Sequence, residues 1–178
     1  MTSFTEGHLQ FEFGLQWEVV KLDAHHAYRQ GIEKLDHTKA VDFLALWDKQ
    51  ILYFLEVKDF RNHRIENEKR LTTEDLTLEW GHKVRDSLAC IVGAYRQSEE
   101  TIWGHCLDSL QNKKQDIKVV LWLEYDPPRA DRKRQQVQAS IGQNVLKKKF
   151  KWLTNRVLIV NLNDNSLSDL KVQNLPHA

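Results

Sequence analysis

The sequence is poor in cysteine, proline, glycine and long apolar runs. Its 178 residues include 2 cysteines, 3 prolines and 7 glycines. Cys90 and Cys106 cannot make a disulfide framework, and they lack the spacing of metal ligands. We therefore expect a protein from the reducing interior of the cell. No stretch reaches the roughly 18 apolar residues of a membrane span, and residues 1–10 hold no apolar signal core. These absences argue against a secreted or membrane protein, and we expect a soluble cytoplasmic one that does not bind a membrane.

The apolar content is enough for one buried core. Hydrophobic residues make up 41% of the chain and charged residues 29%, which is typical of a globular domain of this length. We find no internal repeat, low-complexity run or linker. The sequence therefore predicts a single domain over residues 1–162, followed by a loosely held polar tail over residues 163–178.

Apolar periodicity predicts a mixed α/β (α+β) fold. Two apolar runs, Ala40–Trp47 and Ile51–Phe60, are separated by only three residues and predict an antiparallel hairpin. The second run is apolar on both faces, so we expect it to be central in its sheet. The other predicted elements are a long helix from Thr72 through Tyr95, a short helix over Thr101–Gln111, strands over Ile117–Tyr125 and Arg156–Leu162, and a basic helix that ends near Phe150 with Val137, Ile141, Val145 and Phe150 facing inward.

The opening region, residues 11–35, fits two structures. Trp17, Val20 and His25 lie at helical spacing, whereas the run from Trp17 to Leu22 also alternates as a strand does. In the second case Asp23 would be the N-cap of a helix over residues 25–30. The sequence leaves both structures open.

The net charge of +1 hides a strongly basic segment. Between Pro127 and Arg156 there are nine basic residues and one acid, so the rest of the chain carries a net charge of −7. This concentration is typical of a surface that binds a polyanion, and it also fits a solvated helix face. The residues that we expect to bind nucleic acid are Arg132, Lys133, Arg134, Lys147, Lys148 and Lys149.

Three charged residues, Asp42, Glu56 and Lys58, interrupt the apolar hairpin. A charge on a central strand is costly unless it has a partner or an ion. If the turn is centred on Lys49, Asp42 lies opposite Glu56 on one face of the sheet, with Cβ atoms about 5 Å apart. Two carboxylates this close suit a hard cation such as Mg²⁺, and Lys58 shares their face, roughly 7 Å along the strand. The alternative is a structural ion pair of Lys58 with Glu56 or Asp42.

The spacing of these residues resembles that of the PD-(D/E)xK nuclease superfamily. Asp42 is followed after thirteen residues by Glu56-Val57-Lys58 at the end of an apolar strand. The resemblance covers roughly Trp17 to Tyr125, and Val41 stands where the motif has proline. It implies a restriction-endonuclease-like fold, with a mixed central sheet flanked by helices, and a Mg²⁺-dependent endonuclease, a hydrolase that cleaves DNA.

The resemblance also implies roles for individual residues. Asp42 and Glu56 would bind Mg²⁺, or Mn²⁺ as a substitute, with the Val57 carbonyl as a third candidate ligand. Lys58 would assist the attacking water. Many members carry a further acidic ligand on the first helix, and Glu18 is the candidate here provided that its segment is helical. The implied partner is nucleic acid, with DNA favoured, and a homodimer is left open.

Two other functions fit the same sequence. One is a non-catalytic nuclease-like module that binds nucleic acid or protein, and the other is an intracellular scaffold whose basic segment contacts an acidic protein. The intact set of Asp42, Glu56 and Lys58 favours the nuclease, because a module without catalysis could lose any of the three.

Overall fold

Two β-sheets and several helices make up residues 1–61, 74–124 and 144–176, the part of the chain that the computed structural model describes. This mixed α+β architecture confirms the predicted class. The strands are Thr2–Glu6 (β1), Leu9–Phe13 (β2), Trp17–Lys21 (β3), Phe43–Trp47 (β4), Ile51–Asp59 (β5), Asp116–Glu124 (β6), Val157–Val160 (β7) and Leu170–Asn174 (β8). The helices are His26–Arg29 (α1), Glu74–Gln97 (α2) and Thr101–Gln111 (α3), with 3-10 turns at Leu22–Ala24 and Ile32–Lys34 and a helical stretch at 144–150.

The larger sheet has five strands in the order β3-β4-β5-β6-β7. The first three strands are antiparallel neighbours, whereas β6 runs parallel to both β5 and β7. Parallel strands need a long crossover, and α2 and α3 lie in the connection between β5 and β6. Strand β5 is in the middle of the sheet, as its two apolar faces predict.

The register of the β4–β5 hairpin is the predicted one. Phe43 pairs with Leu55 and Trp47 with Ile51, so the turn is centred on Lys49. Two of the three loop residues have positive φ angles, 49° and 54°, which gives the turn the twist that a tight hairpin requires. Because side chains alternate along a strand, this register sends the predicted carboxylate pair to the same face of the sheet.

Both faces of the larger sheet are covered. One face packs against helices through a cluster that includes Leu44, Leu46, Phe54, Val119, Leu121, Trp80, Val84, Ile91 and Trp103. The other face packs against the three-stranded antiparallel sheet β1-β2-β8 through a cluster that includes Phe43, Leu55, Val120, Trp122, Leu9, Phe11 and Phe13. The larger sheet is therefore the middle of three layers, and two acidic residues on its strands, Glu56 and Glu124, are buried. None of the helices in the described ranges combines the length and the apolarity that crossing a bilayer requires.

The structure decides between the two forms of the opening region. Trp17–Lys21 is a strand that pairs with β4, so it supplies the strand before the hairpin. A short helix follows, but its N-cap is His25, whose ring nitrogen accepts a hydrogen bond from the Ala27 N–H. Asp23 lies in the preceding 3-10 turn instead. The expected N-cap was therefore wrong, because the helix begins later than predicted.

Other predicted elements agree with the structure to different degrees. Thr101–Gln111 is a helix with the predicted bounds. Within the stretch 144–150, Phe150 is buried as predicted, whereas Val145 is 40% exposed and its neighbour Leu146 is buried. The inward orientation predicted for Val145 is therefore wrong. Val137 and Ile141 lie outside the described residues.

The chain after residue 162 is not a loosely held tail. Leu170–Asn174 is β8, which pairs antiparallel with β2, and Leu167 and Leu170 are each 5% exposed. The Trp17 indole N–H donates to the Ser168 carbonyl at 2.9 Å. In this segment two apolar residues, Leu170 and Val172, alternate with polar ones, which places both on one face of an edge strand. The many polar residues around them concealed this short pattern.

We expect Leu170→Ala to lower the free energy of unfolding by roughly 2–4 kcal/mol, because it leaves a cavity between the sheets. The matched control is Leu15→Ala, since Leu15 is 87% exposed and its loss should cost less than about 0.5 kcal/mol. Urea unfolding measures both. Equal stability of the two variants would show that β8 does not contribute to the folded core.

Candidate active site

Glu56 is the most deeply buried charge of the candidate site. It lies on β5, is 1% exposed, and belongs to the face of the sheet that packs against helices. Its Oε1 atom contacts two ammonium groups, Lys83 Nζ at 2.6 Å and Lys58 Nζ at 2.8 Å. Its Oε2 atom is also buried and has no hydrogen-bond partner among the described residues. A buried carboxylate oxygen of this kind is a position that a cation or an ordered water would satisfy.

Asp42 lies beside Glu56, as the register predicts. It is 6% exposed, and its Oδ2 atom accepts a hydrogen bond from the Val57 N–H at 2.6 Å. Its Oδ1 atom lies 3.7 Å from Lys83 Nζ, so one ammonium group contacts both carboxylates. Burial, and then the charge of Glu56, raise the pKa of Asp42 to about 7, against the lowering effects of Lys83 and the Val57 N–H.

Lys83 is a central residue of the site, although the sequence indicates for it only a position on the flank of the long helix, at the border of the cleft. It lies on α2, and its side chain is 13% exposed. Glu56 and Asp42 raise the pKa of Lys83 although burial opposes this. The available signal was its position on the helix, between the buried Trp80 and Val84, since a lysine flanking a buried stripe reaches whatever lies beneath the helix.

Two hydrogen bonds from backbone groups fix α2 against the segment that leads into Asp42. The Lys39 N–H donates to Asp86 Oδ2 at 3.1 Å. The Val41 N–H donates to Ser87 Oγ at 3.0 Å. Both acceptors are buried, with exposures of 4% and 0%. Since α2 also carries Lys83, the same helix positions a lysine and a carboxylate of the site.

More acidic residues surround Asp42 than the sequence predicts. Carboxylate oxygens of Glu6, Asp23 and Asp42 lie within 4.8 Å of one another. Glu6 also pairs with Lys21 at 2.6 Å, and Asp23 Oδ1 is a buried atom with no hydrogen-bond partner among the described residues. Burial, and then the charge of Glu6, raise the pKa of Asp23. These acids come from β1 and from the turn after β3, so no short motif links them to the hairpin.

Glu18 does not join this group. Its segment is a strand, so the helix that its role as a further ligand required is not formed. It pairs with Leu46, at the far end of the hairpin from Asp42. Its Oε2 atom lies 2.8 Å from Nδ1 of His105 on α3.

An open cleft of about 330 Å³ reaches the site beside α2. Lys58, 23% exposed, lies near this opening, with its Nζ atom 3.9 Å from Glu79 Oε1. Lys58, and then Lys39 and Lys83, lower the pKa of Glu79 although burial opposes this. The cleft is lined by Asp23, Tyr28, Arg29, Glu33, Lys39, Ala40, Glu79 and Lys83. Solvent therefore has access to the edge of an otherwise buried charge network.

The predicted nucleic-acid contacts are only partly within the described residues. Lys147, Lys148 and Lys149 are exposed on the helical stretch 144–150. The same stretch packs against α2, where the ring centroids of Phe150 and Trp80 lie 4.8 Å apart. Trp80 lies about one helical turn before Lys83 on α2. Arg132, Lys133 and Arg134 lie outside the described residues, and the Val57 carbonyl stays a predicted ligand.

A second group of potential metal ligands is formed by His25, His26 and Glu100. Two of these residues, His25 and Glu100, make hydrogen bonds that stabilise the local fold. Nδ1 of His25 caps α1, which leaves the proton of the neutral ring on Nε2, the atom that faces Glu100 at 3.5 Å. Glu100 also accepts a hydrogen bond from the Trp103 indole N–H at 2.7 Å. A metal at this place would have to replace these contacts, so the carboxylate site is the better candidate.

Comparison with protein-family models, with curated proteins and with solved structures finds no match to this chain. The resemblance to the PD-(D/E)xK superfamily therefore depends on the motif and geometry of residues 42–58.

We expect Asp42→Asn to change how stability depends on pH in metal-free buffer. The raised pKa means that folded Asp42 keeps its proton up to about pH 7, whereas in the unfolded chain it ionises near pH 4. The protonated Asp42 side chain therefore stabilises the fold at low pH, and this stabilisation is lost as the pH rises. Between pH 5 and pH 8, the free energy of unfolding of the parent should fall by about 2–3 kcal/mol relative to that of Asp42→Asn.

Urea unfolding at each pH measures this difference. The control is Asp36→Asn, which makes the same chemical change at an exposed carboxyl and should leave the pH dependence of the parent intact. A parent that gains stability over Asp42→Asn as pH rises would contradict the burial argument.

Proposed function

We propose that the chain is a Mg²⁺-dependent endonuclease with a restriction-endonuclease-like fold, which hydrolyses phosphodiester bonds in DNA. The observation that carries this proposal is the pair of buried carboxylates of Asp42, directly before β4, and Glu56, on β5, with Lys58 in contact with Glu56. A buried pair of like charges on a central strand is expensive, and such pairs are common at catalytic sites. The order of hairpin, long helix and parallel strand supports the same proposal.

The donor atoms fit a hard divalent cation. Glu56 Oε2 is buried without a partner among the described residues, and Asp42 Oδ1 lies at the long distance of 3.7 Å from Lys83 Nζ. Carboxylate oxygens are the ligands that Mg²⁺ prefers, so Asp42 and Glu56 would hold it, with the Val57 carbonyl as a third candidate. A bound Mg²⁺ supplies Lewis-acid polarisation of the scissile phosphate and a lower pKa for the attacking water.

The side chains around the carboxylates have separate tasks in this proposal. Lys58 is directed toward Glu56 by their 2.8 Å contact, and its partly exposed ammonium group would orient the attacking water or stabilise negative charge on the phosphate. Because Glu56 and Lys58 belong to the central strand, their spacing is rigid before substrate binds. Lys147, Lys148 and Lys149, together with the predicted contacts of Arg132, Lys133 and Arg134, would neutralise flanking phosphates without reading sequence.

One observation favours the second candidate, a non-catalytic binding module. Lys58 and Lys83 already provide two positive charges for the two carboxylates, so the group can exist as a structural ion-pair network. In that case the basic residues would still bind nucleic acid. A nuclease assay on plasmid and single-stranded substrates, with Mg²⁺, Mn²⁺ or EDTA, separates the two candidates.

Glu56→Gln and Lys58→Ala should each lower kcat/KM for cleavage at least about 10²-fold, because they remove groups that act in the transition state. DNA affinity should stay close to that of the parent, since the phosphate contacts lie elsewhere. Gel-based cleavage and fluorescence anisotropy measure the two quantities.

The control is Glu18→Gln, because Glu18 is an acid on the helix-facing side of the same sheet but contacts His105. It should cleave like the parent. A parent that binds DNA but shows no metal-dependent cleavage would instead identify the binding module, and full activity in both site variants would reject the assigned roles.

Reversal of Lys147, Lys148 and Lys149 to glutamate should weaken DNA binding and flatten its dependence on salt. Each phosphate contact adds about 0.9 to the magnitude of the negative slope of log K against log salt on duplex DNA. A control with the same charge change uses the exposed residues Lys34, Lys113 and Lys114. If both triple variants lose affinity equally, the effect comes from net charge, and the helical stretch 144–150 is not the DNA surface.

A further inference from the structure

The ammonium group of Lys83 occupies the position between the two carboxylates. Its Nζ atom is 2.6 Å from Glu56 Oε1 and 3.7 Å from Asp42 Oδ1. Lys58 differs in this respect, because its partners are Glu56 and Glu79. Of the two lysines, Lys83 is the one that reaches both members of the predicted metal-binding pair.

A divalent cation would compete with Lys83 for Asp42 Oδ1 and would bind the same Glu56 carboxylate that Lys83 contacts. Asp42 Oδ2 already accepts the Val57 N–H, so Asp42 can offer its Oδ1 atom, which faces Lys83. A cation bound there and to Glu56 would lie within a few ångströms of the ammonium group. Two cations at such a distance in a buried site repel each other strongly.

We propose that Lys83 is a resident counter-cation of the site, and that a divalent cation binds by displacing it. This inference rests on the proposed function, because it concerns the same carboxylates. Together with Lys58, Lys83 offsets their negative charge while the metal is absent, which stabilises the fold. The same ammonium group lowers the affinity of the site for metal. The site thus exchanges a singly charged cation for a doubly charged one, and gains one positive charge where binding without displacement would add two.

The surroundings of Lys83 allow its side chain to move while the helix stays in place. Helix α2 is held by the hydrogen bonds of Asp86 and Ser87 to the segment before Asp42. Glu79 lies one turn earlier on α2, at the i, i+4 spacing that favours a Glu–Lys pair, and it lines the same cleft as Lys83. A displaced ammonium group therefore has a carboxylate within reach on its own helix.

The test is the affinity of the purified protein for Mn²⁺, measured by calorimetry without nucleic acid. Lys83→Gln keeps a hydrogen-bond donor and removes the charge, so it should bind Mn²⁺ at least about tenfold more tightly than the parent. Lys39→Gln is the matched control. Lys39 is a lysine of the same cleft whose Nζ atom contacts Glu79 at 3.5 Å, and its loss should leave the affinity within about twofold of the parent.

A second measurement uses the unmodified chain and does not depend on the folding of a variant. Saturating Mn²⁺ should raise the rate at which an amine-acylating reagent labels Lys83 by several-fold, because a buried ion-paired ammonium group becomes accessible. Lys34 is exposed and serves as the internal reference, with an unchanged rate. Peptide mass spectrometry reads both sites.

The outcomes separate this inference from the proposed function. Tighter binding by Lys83→Gln, with Lys83 labelling that rises with Mn²⁺, supports the exchange even if no cleavage of DNA is found. Equal or weaker binding by Lys83→Gln, or labelling that does not rise, overturns it while the metal site stands. If the parent and both variants fold but none binds Mn²⁺, the metal site and the exchange are both rejected.

Discussion

A negative charge at Glu56 has to be neutralised inside a three-layer core, and much of the surrounding structure follows from that requirement. Glu56 is 1% exposed, and an isolated carboxylate at such a depth would cost several kcal/mol. One partner, Lys58, comes from the same strand, whereas Lys83 comes from α2 and requires that helix to dock in one position. The docking contacts of α2 in turn hold the segment that places Asp42.

The parts of the site that the sequence predicts correctly are those joined by a short, regular connection. A three-residue loop fixes the register of β4 and β5, and a period of two then decides which side chains share a face. Asp42 and Glu56 could therefore be placed together without knowledge of the rest of the fold. The central position of β5 also followed, because a strand that is apolar on both faces must be covered on both faces.

The parts that were missed depend on how distant elements pack. Lys83 belongs to the site only because of the rotation of α2 about its axis, and a helical pattern gives that rotation to within about one residue, as the exposed Val145 also illustrates. Glu6 and Asp23 reach Asp42 from other elements. Strand β8 pairs with residues that lie far away in sequence. Its alternation of apolar and polar residues is short, so the local sequence gave little indication of a strand.

The pairing of β2 with β8 also constrains how the chain reaches its native state during synthesis on the ribosome. Leu9 pairs with Asn174 and Phe13 with Leu170, so the three-stranded sheet requires the two most distant parts of the described chain. The β1–β2 hairpin emerges early, but the second edge of β2 stays unpaired until β8 has been synthesised. Until β8 emerges, this unpaired strand edge is a place where the nascent chain can pair with a strand of another chain.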